Sequence, residues 1–266
     1  VKALEALGHT VRDLGDVAVG TERSAQTDDV TTRHLEAVRE TQVSLADAVE
    51  RSLRAGAYGL IIGGDHSLAI GALAGVARSK GPGGIIWLDA HADMNTPATS
   101  PTGNIHGMSM GAALGEMRAQ FGPPQFPVPL VDPARCVFIG LRDVDPGERN
   151  ALRERGMTCY TMSDIDRSGM PSVIERAIAI AGNGPASTHV SLDIDIVDPA
   201  TAPGTGTPVV GGITYREAHL AMEIVAESGI AHSLELVEVN PTLDDGLATA
   251  RLAVELICSA LGKAIL

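Results

Sequence analysis

Short apolar segments alternate with longer amphipathic segments along the 266-residue chain, and this alternation limits the possible folds most strongly. Residues 85–88, for example, read Ile-Ile-Trp-Leu and offer no polar side chain to water. Strands that are apolar on both faces suit a parallel sheet with helices packed on either side. The sequence therefore predicts an α/β fold, a three-layer sandwich in which helices cover both faces of a mostly parallel sheet.

The predicted elements follow this alternation from one end of the chain to the other. The expected strands occupy residues 10–13, 58–62, 85–88, 136–139, 158–160, 189–192 and 231–236. The expected helices occupy residues 31–55, 67–78, 108–119, 147–155, 171–181, 215–228 and 247–261. The proline-rich segment 122–129 is expected to be a surface loop rather than a domain linker. A single domain over residues 1–266 is the expected organisation.

Composition excludes several classes of protein. The hydrophobic fraction of 44% supplies a sizeable core, and no apolar run reaches the roughly 18–20 residues of a membrane-spanning helix. The net charge of −13 argues against a nucleic-acid partner and suits a cationic ligand. The three cysteines form no CxxC pair, which favours free thiols in a reducing compartment. We therefore expect a cytoplasmic protein whose partner is neither nucleic acid nor membrane.

Two clusters of aspartates directly follow apolar runs. The first contains Asp89, His91 and Asp93, and the second contains Asp193 and Asp195. Because side chains alternate along an extended strand, residues two apart point the same way and can converge. Carboxylates gathered at the tip of a buried sheet would repel one another unless cations lay among them.

A third polar element, Gly-Gly-Asp-His at 63–66, also follows an apolar run, so a two-metal site at the ends of three strands is predicted. The expected ligands are His66, Asp89, His91, Asp93, Asp193 and Asp195. This oxygen-rich set has no thiolate, which favours Mn²⁺ or Mg²⁺ over structural zinc. Two such ions, about 3.5–4 Å apart, would share a water and lower its pKa.

Other interpretations of these residues remain open. Asp93 or Asp198 could cap a helix or form a turn, and His66 could bond to the backbone of its loop. A phosphoesterase could also use a metal pair, but its usual GNH[DE] and GHxH elements and a basic cluster for phosphate are missing from the sequence. The glycine-rich segment 204–208 fits neither the phosphate-binding P-loop nor GxGxxG, which disfavours nucleotide binding.

Four motifs, in this order, resemble the signatures of the ureohydrolases, the family that includes the arginases and agmatinases. They are Gly-Gly-Asp-His-Ser at 63–67, Asp-Ala-His-Ala-Asp at 89–93, Ser-Leu-Asp-Ile-Asp at 191–195 and Ala-Pro-Gly-Thr-Gly-Thr-Pro at 202–208. Segments 103–108, 207–217 and 238–241 resemble the arginases in particular, and the bacterial ones most. The similarity extends from the N-terminus to about residue 261.

The resemblance implies an arginase-like fold with two Mn²⁺ ions per subunit. The first ion would bind His66, Asp89, Asp93 and Asp193. The second would bind Asp89, His91, Asp193 and Asp195, so that Asp89 and Asp193 bridge the pair. Hydroxide held between the ions would attack the guanidinium carbon of L-arginine and release L-ornithine and urea.

The resemblance also implies roles for three catalytic residues. Asp93 would accept a hydrogen bond from the hydroxide and pass its proton on. His106 would shuttle protons at the mouth of the site, and Glu238 would hold the guanidinium by paired, charge-assisted hydrogen bonds. The alternatives are a histidine at a helix start with no chemical role, and a buried salt bridge at a strand end.

Recognition of the amino-acid end of the substrate is implied for a further group of residues. They are Asn95, Thr102, Asp143, Asp145, Glu148 and Thr207. Asn95 and Thr102 would contact the carboxylate, and Thr102 stands where arginases usually have serine. The acidic residues of 143–148 would read the α-ammonium, although the same loop could simply cap the helix that follows.

Members of the family normally begin with a further strand and glycine-rich loop of roughly 30 residues, so an incomplete sequence is expected. The resemblance also implies a homo-oligomer, a trimer or a hexamer. Agmatinase, or hydrolysis of another guanidino substrate, is the nearest alternative activity. A non-catalytic assembly subunit with the same fold is the alternative of another class. The presence of the full ligand set with His106 and Glu238 argues against such a subunit.

Overall fold

A sheet of parallel strands forms the centre of the fold. The computed structural model describes residues 1–20 and 29–264 of the chain. Its strands are β1 Gly59–Ile62, β2 Gly83–Leu88, β3 Val131–Leu141, β4 Thr158–Thr161, β5 Thr188–Asp193 and β6 Ala231–Val237. They lie in the order β1-β6-β5-β2-β3-β4, and each neighbouring pair is parallel.

Helices cover both faces of this sheet, which confirms the predicted fold class. They are α1 Lys2–Glu5, α2 Leu35–Arg54, α3 Leu68–Lys80, α4 Ser109–Ala113, α5 Pro146–Glu154, α6 Met162–Ser168, α7 Met170–Ala181, α8 Tyr215–Ser228 and α9 Ala248–Ala260. Short 3₁₀ helices span Ile105–Met108, Ile194–Ile196 and Asp245–Leu247. No helix among the described residues has the length and apolar character needed to cross a bilayer.

Strand β2 shows why the apolar runs become central strands. All of its residues are buried, and successive side chains enter opposite layers. Ile86 belongs to the core formed with α7, α8 and α9, whereas Ile85 belongs to the core formed with α3 and α4. An apolar run is therefore favoured in this strand, because neither of its faces meets water.

Helices α2 and α3 approach each other closely on one face of the sheet. A Cβ atom at Gly75 would lie 2.6 Å from Val49 Cβ and 2.7 Å from the Ala46 carbonyl oxygen. A side chain at Gly71 would similarly meet the Gln42 backbone at 2.7 Å. The two glycines let α2 press α3 against the sheet, and the start of α3 is thereby held next to His66.

Four predicted elements need correction. The strand predicted at 136–139 extends from Val131 to Leu141. Residues 10–13 form no strand, because no described strand lies beside them to complete a ladder of hydrogen bonds. The helix predicted at 108–119 ends at Ala113, since Gly115 adopts a φ of +93° and turns the chain. The helix predicted from residue 31 begins only at Leu35, after His34 with a left-handed φ of 58°.

Helix α6 was not among the predicted helices. Helix α6 begins after Thr161, whose backbone N–H and hydroxyl both donate to the Asp164 carboxylate, at 2.8 and 2.6 Å. This capping arrangement starts a helix without a long apolar period, so a search for periodicity misses it. The proline-rich segment 122–129 is a loop as predicted, but Phe126 is buried and packs edge-on against Phe121.

Candidate metal centre and active site

The predicted site residues meet at the carboxyl edge of the sheet. His66 follows β1, Asp89 follows β2, Asp193 ends β5 and Glu238 follows β6. These strands are consecutive neighbours in the sheet, in the order β1-β6-β5-β2. Functional groups of open parallel sheets collect at this edge, so the loops bring together residues far apart in the chain.

His66 lies at the centre of the first group of candidate ligands. Its Nδ1 atom is 3.1 Å from Asp89 Oδ2, 3.1 Å from Asp193 Oδ2 and 3.2 Å from Asp93 Oδ2. Nδ1 is buried, and within the described part of the chain it has no hydrogen-bond partner of acceptable geometry. One imidazole nitrogen facing several carboxylate oxygens fits a cation with nitrogen and oxygen ligands.

A second group shares Asp89 with the first. His91 Nδ1 lies 3.0 Å from Asp195 Oδ2 and 3.4 Å from Asp89 Oδ1. Ligand atoms of His66, Asp89 and Asp193 lie within 4.8 Å of one another, and so do those of Asp89, His91 and Asp195. The two oxygens of Asp89 thus face different groups, as expected of a bridging carboxylate. Bridging by Asp89 and by Asp193 stays a prediction.

Burial and mutual repulsion change the protonation of this cluster. Burial raises the pKa of Asp193 well above its usual value, and the charges of Asp195 and Asp89 add to the shift. Burial also raises the pKa of Asp93 to about 6. Burial would lower the pKa of His66, but the three carboxylates around it raise that pKa by more. The cluster therefore binds positive charge more strongly than separate carboxylates would.

Backbone amides hold several carboxylates in place. Asp89 Oδ1 accepts a hydrogen bond of 2.7 Å from the backbone N–H of His91. Asp193 Oδ1 accepts one of 2.9 Å from the N–H of Asp195. Thr207, predicted to contact substrate, donates from its hydroxyl to Asp195 Oδ2 at 3.2 Å. In this structure Thr207 therefore contacts a candidate metal ligand, and its contact with substrate stays a prediction.

His106 and Glu238 form a pair beside the candidate metal ligands. His106 Nδ1 lies 3.1 Å from Glu238 Oε1, and the same oxygen accepts a 2.8 Å hydrogen bond from the backbone N–H of His66. The hydrogen bond to Glu238 raises the pKa of His106 against the effect of burial. The two side chains line a pocket together with Asp65, Ser67 and the start of α2. Glu238 has φ 64° and Asp93 has φ 50°, so both occupy the left-handed region.

The loop predicted to read the α-ammonium also caps α5. Glu148 is 4% exposed, and its two oxygens accept 2.9 Å hydrogen bonds from the backbone N–H groups of Met94 and Asp145. Burial raises the pKa of Glu148 to about 7. Asn95 Nδ2 donates to Asp145 Oδ2 at 2.9 Å, so two of the predicted substrate contacts hold each other. The capping interpretation is confirmed for Glu148, and its role toward substrate stays a prediction.

Thr102 and Asp143 are the exposed members of the predicted recognition group. The Thr102 hydroxyl accepts a 3.2 Å hydrogen bond from the backbone N–H of Asn104. Its carbonyl oxygen accepts a 2.9 Å hydrogen bond from Arg33 Nε. Asp143 is tied to the site through its backbone N–H, which donates to the Ala90 carbonyl at 3.1 Å.

Comparison with known proteins agrees with this geometry. The model of the Arginase family matches residues 3–262. The chain belongs to the arginase family. A curated arginase from Bacillus caldovelox is 46% identical over 272 aligned residues, which cover 100% of this chain and 89% of the relative. A curated arginase from Bacillus subtilis is 44% identical with the same coverage.

Solved structures of the family share the fold. The native structure of the Bacillus caldovelox arginase matches with a TM-score of 0.94 and 46% identity. A Bacillus subtilis arginase structure matches with a TM-score of 0.92 and 44% identity. Both matches cover 100% of this chain and 89% of the other chain. The carboxyl-edge site thus sits on a fold shared with bacterial members of the arginase family.

Several residues that support the site were not predicted from the sequence. Trp87 stacks on His66 with ring centroids 4.0 Å apart and an interplanar angle of 5°, and its Nε1 donates to Asp89 Oδ2 at 2.9 Å. Ser191 lies 2.7 Å from His66 Nε2. Position is a sequence signal for both, since Trp87 and Ser191 each stand two residues before a candidate ligand. Ser191 also begins the Ser-Leu-Asp-Ile-Asp motif.

Arg142 is another supporting residue that the sequence did not reveal. Its guanidinium donates to the carbonyl oxygens of Asp195 at 2.6 Å and Val209 at 2.8 Å. It also donates to the carbonyls of Ile196 at 3.2 Å and Gly140 at 3.3 Å. Arg142 therefore ties the end of β3 to the segment that carries Asp195.

Proposed function

We propose that the protein hydrolyses L-arginine to L-ornithine and urea and that it uses two Mn²⁺ ions. The observation that carries the proposal is the pair of candidate ligand groups that share Asp89, with Glu238 and His106 beside them. Membership in the arginase family indicates a hydrolase that acts on a guanidino group. The curated relatives at 44–46% identity over the whole chain are named arginases, which supports arginine as the substrate.

The donor set supports manganese rather than zinc as the resident metal. It offers two imidazoles and four carboxylates without a thiolate, and oxygen-rich sets of this kind suit Mn²⁺. The residues that would hold the two ions are His66, Asp89, His91, Asp93, Asp193 and Asp195. When bound, the metal pair supplies a water of lowered pKa as the nucleophile.

Glu238 and His106 would prepare the substrate and move protons. Both contacts of Glu238 described above use Oε1, so Oε2 is the atom offered to a guanidinium N–H. A carboxylate held this way orients the planar guanidinium by charge-assisted hydrogen bonds. His106 would carry protons between the site and solvent, because its side chain is 29% exposed and still contacts Glu238.

Selection for an amino acid over a simple guanidine would come from the predicted recognition group. Asn95 and Thr102 would bind the substrate carboxylate, and Asp143, Asp145 and Glu148 would favour the α-ammonium. The hydrogen bond from Asn95 to Asp145 supports this arrangement, because it fixes one group of each kind relative to the other. Agmatine lacks the carboxylate and would leave the carboxylate-binding groups unpaired, so arginine should be preferred.

The wider setting of the protein is part of the same proposal. We infer a single domain over residues 1–266 that acts in the cytoplasm as a homo-oligomer, a trimer or a hexamer. Its partner would be the small guanidino substrate, with no role for nucleic acid or membrane. The acidic net charge of −13 is consistent with a cationic substrate.

The test is urea release by the purified, Mn²⁺-loaded protein with arginine and agmatine compared side by side. Strong preference for arginine is expected. Equal or faster turnover of agmatine would refute arginine hydrolysis while the family membership remains. If the protein binds two Mn²⁺ ions but releases no urea from arginine, agmatine or other guanidino compounds, the non-catalytic assembly subunit is correct.

A further inference from the structure

Buried polar side chains replace apolar ones on one face of β5 and β6. His189 and Ser191 of β5 stand opposite Ser233 and Glu235 of β6, and all four are at most 1% exposed. On the same face, the next strand carries Ile85 beside His189 and Trp87 beside Ser191. Apolar side chains at these positions would avoid the cost of burying polar groups. The cost of burying this polar strip therefore indicates a role other than folding.

The strip connects directly to a candidate metal ligand. The Ser191 hydroxyl donates to Glu235 Oε1 at 2.7 Å, and His66 Nε2 lies 2.7 Å from the same hydroxyl oxygen. At the other end of the carboxylate, His189 Nε2 lies 3.4 Å from Glu235 Oε2. His189 Nδ1 in turn lies 2.7 Å from the Ser233 hydroxyl. The chain of contacts thus runs from His189 through Glu235 and Ser191 to His66.

The direction of these hydrogen bonds fixes the tautomer of His66. A carboxylate only accepts hydrogen bonds, so the single hydroxyl proton of Ser191 is committed to Glu235. Ser191 must then accept from His66, which places a proton on Nε2. In the neutral imidazole the other nitrogen, Nδ1, is left with a free lone pair. Nδ1 is the atom that faces Asp89, Asp93 and Asp193.

We propose that Glu235 and Ser191 are positioning residues that hold the His66 ring in the metal-binding tautomer and orientation. The inference rests on the proposed function, because it requires a metal ion at His66. Outer partners of this kind typically change metal affinity by about 10- to 100-fold when they are removed. Trp87 restrains the same imidazole further, because it stacks on the face of the ring whereas Ser191 contacts a nitrogen at its edge.

The experiment measures Mn²⁺ binding rather than turnover. The chain contains one tryptophan, so fluorescence of Trp87 reports directly on the environment of His66. Metal-free protein is titrated with Mn²⁺, and equilibrium dialysis with metal analysis gives the number of ions bound. Ser191→Ala should weaken the binding reported by Trp87 by about 10- to 100-fold. Glu235→Ala should weaken it as much, whereas Glu235→Gln should lose less because its carbonyl can still accept from Ser191.

A matched control separates positioning from general loss of stability. Ser259 is also a buried serine, 2.9 Å from a histidine nitrogen, Nδ1 of His219, but that pair lies between α8 and α9. Ser259→Ala should lower the melting temperature without changing Mn²⁺ affinity. If Ser191→Ala leaves Glu235 unpaired and fails to fold, the double variant Ser191→Ala/Glu235→Ala removes that charge. The double variant should bind Mn²⁺ no more weakly than Glu235→Ala, because both substitutions interrupt the same series of hydrogen bonds.

Three results would overturn the inference. The first is unchanged Mn²⁺ affinity in the folded Ser191→Ala or double variant. The second is an equal loss of affinity in Ser259→Ala, because the effect would then be one of stability alone. The third is a loss of Mn²⁺ affinity in the double variant that equals the sum of the losses in the two single variants, because Ser191 and Glu235 would then act independently. Failure of the unmodified protein to bind Mn²⁺ is a separate outcome that would refute the proposed function itself, and the inference with it.

Discussion

Replacement of Arg142 tests whether a residue outside the ligand set holds the second ligand group together. Its guanidinium makes five hydrogen bonds to four carbonyl groups, and the two shortest go to Asp195 and Val209. In Arg142→Met the aliphatic part of the side chain is largely kept and every donor is lost. The segment that carries Asp195 would then lose its attachment to the end of β3.

The size of the effect follows from these contacts. A hydrogen bond to a charged group contributes about 1.5–3 kcal/mol, and the lower figure suits a side chain that is partly exposed. Counting only the two shortest bonds gives a loss of about 3 kcal/mol in the free energy of unfolding. For a chain of this size, such a loss lowers the melting temperature by about 6–12 °C. Binding of the ion near His91 and Asp195 should weaken by about 10-fold, because the backbone of Asp195 loses its support.

Calorimetric melting and dialysis against limiting Mn²⁺ are the appropriate measurements. Arg149→Met is the matched control, because Arg149 is exposed and its guanidinium donates to the Val144 carbonyl at 3.3 Å. The control should melt within about 1 °C of the unmodified protein, as expected of a surface substitution. If Arg142→Met melts like Arg149→Met and keeps both ions with unchanged affinity, the supporting role of Arg142 is refuted.

Three further predictions concern the metals and the substrate. Chelation should abolish urea release, and it should lower thermal stability because metal binds only the folded site. Mn²⁺ should restore both properties better than Zn²⁺. Full activity in verified metal-free protein would refute the mechanism. Asp193→Ala should lose at least one ion, whereas Asp198→Ala should keep two, because the Asp198 carboxylate accepts hydrogen bonds from the backbone N–H groups of Ala200, Gly211 and Gly212. Equal metal content in the two variants would contradict this assignment. Asp145→Asn keeps a good helix-capping side chain but removes the negative charge. The KM for arginine should therefore rise by about 10- to 100-fold, with unchanged metal content. An unchanged KM would show that Asp145 takes no part in substrate recognition.

The meeting of the candidate metal ligands was predictable because it follows from general properties of parallel strands. Asp89 and Asp193 each follow an apolar run, and parallel strands end at a common edge, so their convergence required no knowledge of strand order. The alternation of side chains along a strand predicted that His91 and Asp195 join them, but both residues lie beyond the strand ends, and tight turns place them, with Asp195 in the 3₁₀ helix Ile194–Ile196. The residue types and their spacing were sufficient to predict which residues meet, because both can be read locally from the sequence.

The supporting residues were not predictable because they depend on which strands are neighbours. Glu235 faces Ser191 only because β6 lies beside β5 in a particular register, and the sequence does not specify that pairing. The alternation of polar and apolar residues in β6 would equally suit a half-exposed strand. Arg142 depends on carbonyl oxygens more than fifty residues away, and a carbonyl carries no sequence signal.

The predicted ends of two helices were wrong for a different physical reason. The helix expected at 108–119 has suitable residues throughout, but Gly115 takes a backbone conformation open to few other residues and ends the regular structure nearby. His34 delays the start of α2 in the same way. Periodicity describes which face of a helix is buried, whereas its ends depend on single residues and on the loops they must join.

The left-handed backbone of Asp93 and Glu238 has a consequence for how such a protein can be improved. A side chain in this region costs about 1–3 kcal/mol, and glycine would remove most of that cost. Both positions nevertheless carry the carboxylates that the proposed chemistry needs, so the residue that suits the backbone and the residue that suits the chemistry differ at each. Laboratory evolution for heat resistance of the metal-free protein would favour Asp93→Gly, whereas selection in the presence of Mn²⁺ would keep the acid, because the bound metal also stabilises the fold.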